Sequence, residues 1–398
     1  MNVEKTYTAS DAINCWQDID FKIAEKCIKK LQMRIAKAQQ MYDIRKVDIL
    51  QHRLIHSFYA KSLAVKIVTT NHGKYTPGVD SILWLSPEDK YQAILDLNRR
   101  GYKPLPLRRV YILKSDGRKR PLSIPTLRDR AMQTLYKLAL EPIAEITADE
   151  NSYGFRTGRC TRDAISRYIH ILSEYPRCSW ILEADIQSCF DKINHTWIMK
   201  HIPMDKRILW KFLKSGYIEN RKLNPTMRGI PQGGSISTVI CNMVLDGLEK
   251  ELIPLNVYYI RYADDFIVMG ENGELLDKQI RPLVEVFLNK RGLTLSPKKT
   301  LITNVYDGFD FLGWNIRKDN SQLLISPSKK NLNSILHKIT NIANCVPHMT
   351  FEQMCDLLKP IISGWLNYHR DIVSPDSLDN AINEIISCLS KLTGKEIL

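Results

Sequence analysis

A chain of 398 residues has room for two or three domains, and with 44% hydrophobic and 25% charged residues it can bury real cores, which excludes an intrinsically disordered chain. Only 18 Gly, 18 Pro and 9 Cys exclude collagen-like, low-complexity and disulfide-framework classes. Lys and Arg number 57 against 43 Asp and Glu, a net charge of +14 that favours a polyanionic partner, nucleic acid ahead of a membrane.

The chain opens Met-Asn-Val-Glu-Lys-Thr-Tyr, without a basic stretch leading into an apolar run, so no signal peptide is expected. No segment approaches the ~20 apolar residues of a spanning helix. Residues 10–70 read as helical, with Ser10 and Asp11 as caps. Ile19, Ile23, Cys27, Leu31, Ile35 and Ala38 are expected to share the inward face. Lys22, Lys26, Lys29, Lys30, Arg34 and Lys37 form a basic stripe on another, read from the residues alone as either a solvated face or a polyanion contact. A second run over Val47–Val68 turns Leu50, Leu54, Phe58 and Leu63 inward, and turn residues from His72 to Asp80 end it.

From residue 98 to 320 strands and helices alternate. Val110–Lys114 and Arg118–Ile124 read as a hairpin across Asp116-Gly117, and residues 127–146 as a helix. Trp180–Asp185 is a strand ending on a carboxylate. Val257–Arg261 and Phe266–Met269 are strands flanking Tyr262-Ala-Asp-Asp265. Phe309–Ile316 is a further strand closed by Gly313 and Trp314. This mixture predicts an α+β fold with a mostly antiparallel sheet. Residues 327–393 return to helix, in runs near 329–344, 351–370 and 376–392.

The cysteines form no C-x-x-C pair, and the nine histidines are scattered without H-E-x-x-H, so reduced thiols are expected and a zinc site is not. The acidic residues are more informative, although Tyr262-Ala-Asp-Asp265 in isolation reads equally as an ordinary Asp-rich turn. Two unit charges 4 Å apart repel by about 4 kcal/mol at an effective dielectric of 20. A divalent cation removes that repulsion and uses the oxygens as hard ligands. If the strand ending at Asp185 lies beside the hairpin carrying Asp264 and Asp265, the carboxylates can share two metal ions. Such ions activate an attacking 3′-hydroxyl and stabilise a leaving pyrophosphate. Lys114 and Arg120, across the predicted hairpin, could meet a triphosphate, with the arginine as a bidentate clamp, although taken alone two exposed basic residues read as ordinary surface. In Arg228-Gly-Ile-Pro-Gln-Gly-Gly-Ser-Ile-Ser237 the glycines permit close backbone approach and Gln232 offers donor and acceptor, although taken alone the segment is an ordinary loop.

Taken in order, these stretches resemble the reverse transcriptases of the group II intron (maturase) class over about residues 20–395. The resemblance is carried by Lys61–Val65 with Thr76–Asp80, Arg118–Thr126 with Asp129-Arg130, and Ser152–Arg156. It continues through Ala184-Asp-Ile186 with Cys189-Phe-Asp191 and His195, Ile230–Gly234, Arg261–Asp265, and Gly292-Leu293 with Lys298–Thr300. Phe309–Gly313 and Gly364–Tyr368 complete it.

The resemblance implies a right-hand polymerase. Residues 1–97 would form an N-terminal helical extension and the start of the fingers, 98–320 the fingers–palm with an antiparallel palm sheet, and 321–398 a helical, maturase X-like thumb. It further implies an RNA-directed DNA polymerase using two Mg2+ ions, with Mn2+ as a substitute, held by the catalytic Asp185, Asp264 and Asp265. The Ile186 carbonyl would be a further ligand. Phe190 would exclude a 2′-hydroxyl, Gln232 would contact the incoming nucleotide, and Lys114 and Arg120 its phosphates. The Lys22–Lys37 stripe becomes an RNA contact.

The implied partners are dNTPs, a cDNA product and a structured non-coding or intron RNA, without a membrane, in the cytoplasm. Ile230, Ser235 and Thr238 depart from the family's usual loop sequence around Gln232. The chain ends at Leu398 without a DNA-binding segment or Cys/His endonuclease, so target-site cleavage is not expected. A free-standing polymerase copying a dedicated RNA in antiphage defence is the first expectation. A splicing maturase and a non-catalytic RNA-binding protein are the alternatives.

Overall fold

A computed structural model describes residues 14–113, 117, 119–319, 322–345 and 350–393. The strands, numbered along the chain, are β1 (Leu107–Leu113), β2 (Lys119–Ile124), β3 (Trp180–Asp185), β4 (Tyr217–Glu219), β5 (Lys222–Asn224), β6 (Tyr258–Tyr262), β7 (Asp265–Gly270), β8 (Leu301–Asn304), β9 (Phe309–Phe311), β10 (Trp314–Asp319) and β11 (Gln322–Pro327). The chain separates into two compact, discontinuous units. One comprises Met1–Thr157, Ile186–Glu251 and Val284–Ser296; the other comprises Gly158–Asp185, Leu252–Leu283 and Pro297–Leu398.

The first unit is built on the helix Leu127–Thr147, which the helices Phe21–Gln40, Ile44–His56 and Phe58–Thr70 pack against. Its start is fixed by Thr126, whose hydroxyl accepts from Asp129 N–H. Met132, Leu135, Tyr136, Leu140 and Ile143 are buried along it. The Phe21–Gln40 helix starts instead at Asp20, whose carboxylate accepts from the N–H groups of Lys22 and Ile23; Ser10 and Asp11 lie outside the described residues. A sheet in the order β2-β1-β4-β5 completes the unit, antiparallel except for the parallel pair β1 and β4.

In the second unit β6-β7-β3-β8 form an antiparallel sheet, against which the helix Thr161–Glu174 packs through β6. A smaller antiparallel sheet, β11-β10-β9, leads into the helices Lys329–Cys345, Phe351–His369 and Pro375–Thr393. These three close on a core of Ile335, Ile339, Leu358 and Ile385. The molecule thus mixes helices and mostly antiparallel sheets, as the alternation of patterns predicts. No described helix is long and apolar enough to cross a membrane.

Three local expectations are corrected. The inward face of Phe21–Gln40 is Ala24, Ile28, Ile35 and Ala38, with Ile23 48% exposed and Cys27 and Leu31 half-buried. A run spaced by four drifts about 40° per step around a helix of 3.6 residues per turn, so it cannot stay on one face; alternating steps of four and three can. The second helical run is interrupted at Ser57, which leaves Phe58 half-buried while Leu50, Leu54 and Leu63 are buried as expected. Phe309–Ile316 is not one strand but the hairpin β9–β10, turning at Leu312 (φ 51°) and Gly313 (φ 88°). Two consecutive positive φ values are what a two-residue hairpin of type I′ requires, and a leucine gives no sequence signal for one.

Candidate active site

The central strand β3 carries buried Ile181, Leu182 and Ala184 and ends on half-exposed Asp185. It pairs with β7 in a register that sets Asp185 opposite Asp265. Directly opposed residues of an antiparallel pair project to the same face, so these two carboxylates are neighbours. The β6–β7 hairpin pairs Tyr262 with Asp265, leaving Ala263 and Asp264 as a two-residue turn. Ala263 sits at φ 60°, a left-handed conformation a side chain adopts at a cost of about 1–2 kcal/mol. Beneath the turn, fully buried Arg261 donates from Nη1 to the Ala263 carbonyl at 3.2 Å.

The structure therefore brings Asp185, Asp264 and Asp265 together on one unit. The Asp265 carboxyl is open to solvent on one side yet closely surrounded by protein, and its pKa is pushed up to about 7. Burial is the larger cause, followed by the charges of Asp185 and Asp264; Lys299 opposes them. Lys299 Nζ lies 2.7 Å from Asp185 Oδ1. Glu183, one pleat back from Asp185, is also raised by burial and accepts from Thr303 Oγ1 at 2.7 Å.

Among the described residues no group of three or more His, Cys, Asp or Glu side chains closes on a common metal-sized point. The donor chemistry nevertheless fits a hard divalent cation. Carboxylate oxygens are its preferred ligands, and the repulsion from Asp185 and Asp264 that adds to burial in raising Asp265 is what such a cation neutralises.

The first unit holds the other candidate residues. Phe190 is 8% exposed, edge-on to Phe155 with ring centroids 6.5 Å apart. Phe190 and Gln232 line a cavity of about 370 Å³, together with Arg109, Asp191, Tyr217 and Arg228. Arg120 donates from Nε to Gln232 Oε1 at 2.9 Å, which brings it to the same place. Ile186 is buried and bridges to Leu295. Lys114 lies outside the described residues. Lys22, Lys26, Lys29, Lys30, Arg34 and Lys37 are all exposed along the Phe21–Gln40 helix.

The roles of four participants are not given by the residues alone. Lys299, Arg261 and Asp191 lie inside stretches that carry the family resemblance, but only the structure shows that Lys299 meets Asp185 and Arg261 holds the turn. Asp191 faces Gln232, and burial raises its pKa against the pull of Arg109 and Arg120. The Arg109 guanidinium lies over the Tyr217 ring at 4.0 Å.

Comparison with known proteins places three matches along the chain. Residues 16–97 match the N-terminal domain of reverse transcriptase, 112–316 the reverse transcriptase (RNA-dependent DNA polymerase) family, and 332–390 the group II intron, maturase-specific domain. The chain is 33% identical over 309 residues to protein YkfC of Escherichia coli, covering 65% of this chain and 80% of that protein. It is 27% identical over 384 residues to the group II intron-encoded protein LtrA of Lactococcus lactis, covering 77% of this chain and 63% of LtrA, so it spans under two thirds of that relative. Maturase-like protein 1 of Euglena longa is 26% identical over 371 residues, covering 90% of this chain and 78% of that protein.

Proposed function

The chain belongs to the reverse transcriptases of the group II intron type, and on that premise we propose that it is an RNA-directed DNA polymerase that copies a structured RNA into cDNA. The observation that carries this reading is the register of β3 against β7, which sets Asp185 beside Asp265 at a turn holding Asp264. In this reading the three carboxylates hold two Mg2+ ions, for which Mn2+ can substitute. When bound, the ions supply the activation of a primer 3′-hydroxyl and the stabilisation of departing pyrophosphate.

The protein's own groups do the rest. Phe190 fills the space a ribose 2′-hydroxyl would need. Gln232 contacts the incoming dNTP, Arg120 and Lys114 bind its phosphates, and the Ile186 carbonyl adds an oxygen ligand. Helices Lys329–Cys345, Phe351–His369 and Pro375–Thr393 act as the thumb. The exposed cations from Lys22 to Lys37 hold RNA through its backbone, so affinity falls with salt.

Extension of a DNA primer on an RNA template in Mg2+ tests the assignment. The double variant Asp264→Ala, Asp265→Ala should abolish synthesis, and persistent synthesis would remove the catalytic roles. A second reading, assistance to the splicing of an intron RNA, is favoured by the maturase-specific match over residues 332–390. Sequencing the RNA that co-purifies separates the two. An intron supports splicing; a compact structured RNA encoded beside the gene supports a dedicated polymerase of the antiphage-defence kind.

A further inference from the structure

The loop that carries Gln232 is fastened on several sides. Ile230 N–H donates to the Phe190 carbonyl and Gly229 N–H to that of Ile193, both at 2.7 Å. His195, buried, donates from Nε2 to the Gly229 carbonyl at 2.7 Å. At Gly229, with φ +80°, a Cβ would stand 2.6 Å from backbone atoms of Phe190 and Asp191, so the two segments meet backbone to backbone. Ser123 N–H in turn donates to the Gln232 carbonyl at 2.8 Å. The backbone at Gln232 is thereby fixed, and the remaining freedom is the orientation of its carboxamide.

That orientation is chosen by two neighbours of opposite character. A carboxylate only accepts and a guanidinium only donates. Gln232 Nε2 points at Asp191 Oδ2, 3.5 Å away, while its Oε1 accepts from Arg120 Nε at 2.9 Å. Reversing the amide would oppose oxygen to oxygen and N–H to N–H. Arg109 lines the same cavity, over the Tyr217 ring, with a buried Nε that has no hydrogen-bond partner among the described residues. Asp191 thus sets a carboxylate among the cavity's lining beside the cations of Arg109 and Arg228, while Arg120 reaches the same place through Gln232.

We propose that Asp191 is a positioning residue for nucleotide selection: its carboxylate sets the amide orientation of Gln232 and, through that amide, holds the Arg120 guanidinium ready for the phosphates of an incoming dNTP. This rests on the polymerase reading above. Asp191 acts through Gln232, so its loss weakens nucleotide capture and leaves the carboxylates of the other unit, and hence the maximal rate, largely as they are.

Single-nucleotide primer extension with the full chain tests this in a double-mutant cycle. Asp191→Ala should raise the KM for dNTP about tenfold, with kcat within about threefold and unchanged affinity for the primer–template. In a Gln232→Ala background the same change should cost less than about twofold, because the group it acts through is gone. Asp191→Asn, which keeps the shape but loses the fixed acceptor and the charge, should raise KM by about threefold and guards against a folding defect in the alanine variant.

Unchanged KM in both single variants, or effects of Asp191→Ala and Gln232→Ala that multiply, would overturn the inference. A fall in kcat alone would also overturn it. A wild-type chain that extends no primer would overturn the polymerase reading itself, whereas an active wild type with insensitive Asp191 variants sinks only this inference.

Discussion

Lys299 holds its Nζ 2.7 Å from Oδ1 of Asp185, the residue whose register partner is Asp265. The lysine is half-exposed, so the pair adds little to folding stability. Its effect is local: it supplies positive charge to a group of carboxylates that otherwise repel one another. A divalent cation bound by Asp185 competes with that ammonium group. Lys299→Met should therefore tighten Mg2+ or Mn2+ binding by roughly threefold or more, read by isothermal titration, while the melting temperature stays put. Weaker binding in the variant would mean that Lys299 shapes Asp185 for the cation instead of competing with it.

Much of this site is legible in the chain because strand patterns end on acidic residues: β3 runs from Trp180 to Asp185 as the apolar run predicts, and Tyr262–Asp265 interrupts two apolar strands. The pairing of β3 with β7 is not legible from those residues alone. It joins segments remote in sequence, and nothing local to either strand specifies the partner. Lys299 and Asp191 stand inside stretches that carry the resemblance, but their partners Asp185 and Gln232 are not legible for the same reason, since each pair joins segments remote in sequence. The β9–β10 turn was hidden because Leu312 occupies a conformation that sequence patterns reserve for glycine or asparagine.

Phe190 gives a second prediction. Its ring is nearly buried against Phe155 and borders the cavity that Gln232 shares. If it excludes a 2′-hydroxyl by filling space, shortening it opens room without removing a hydrogen bond. Phe190→Val should increase ribonucleotide incorporation relative to deoxynucleotide by at least about tenfold, measured in competition on one primed template. Equal discrimination in wild type and variant would remove Phe190 from sugar selection.

Gly229 gives a third. A Cβ there meets backbone at 2.6 Å, which no side-chain rearrangement relieves, and its φ of +80° strains any other residue. Gly229→Ala should force the Gln232 loop away from Phe190 and lower primer extension by at least about a hundredfold. The same substitution at Gly117, also at positive φ but with open space around it, should leave synthesis within about threefold of wild type. Equal losses at both positions would show that the damage is backbone strain and not the close approach of the two segments.

The last prediction concerns pH and the second unit. His369 is fully buried at the end of the Phe351–His369 helix, edge-on to Trp314, whose ring stacks on Tyr368 at 4.5 Å. Its Nε2 donates to Asn331 Oδ1 at 3.2 Å. Burial disfavours the imidazolium and pushes the pKa down to about 4. In the unfolded chain a histidine titrates near 6.5. Between those values the unfolded chain takes up a proton that the folded chain refuses, so the neutral histidine's contribution is full above about pH 6.5, falls as pH drops towards 4, and falls no further below that. The difference amounts to about 3 kcal/mol. Urea midpoints followed by tryptophan fluorescence from pH 7 to 4 should therefore decline in the wild type, and His369→Asn should flatten the decline even if it lowers the midpoint at pH 7. Parallel pH profiles for the two proteins would show that His369 is not the group whose protonation loosens this part of the fold.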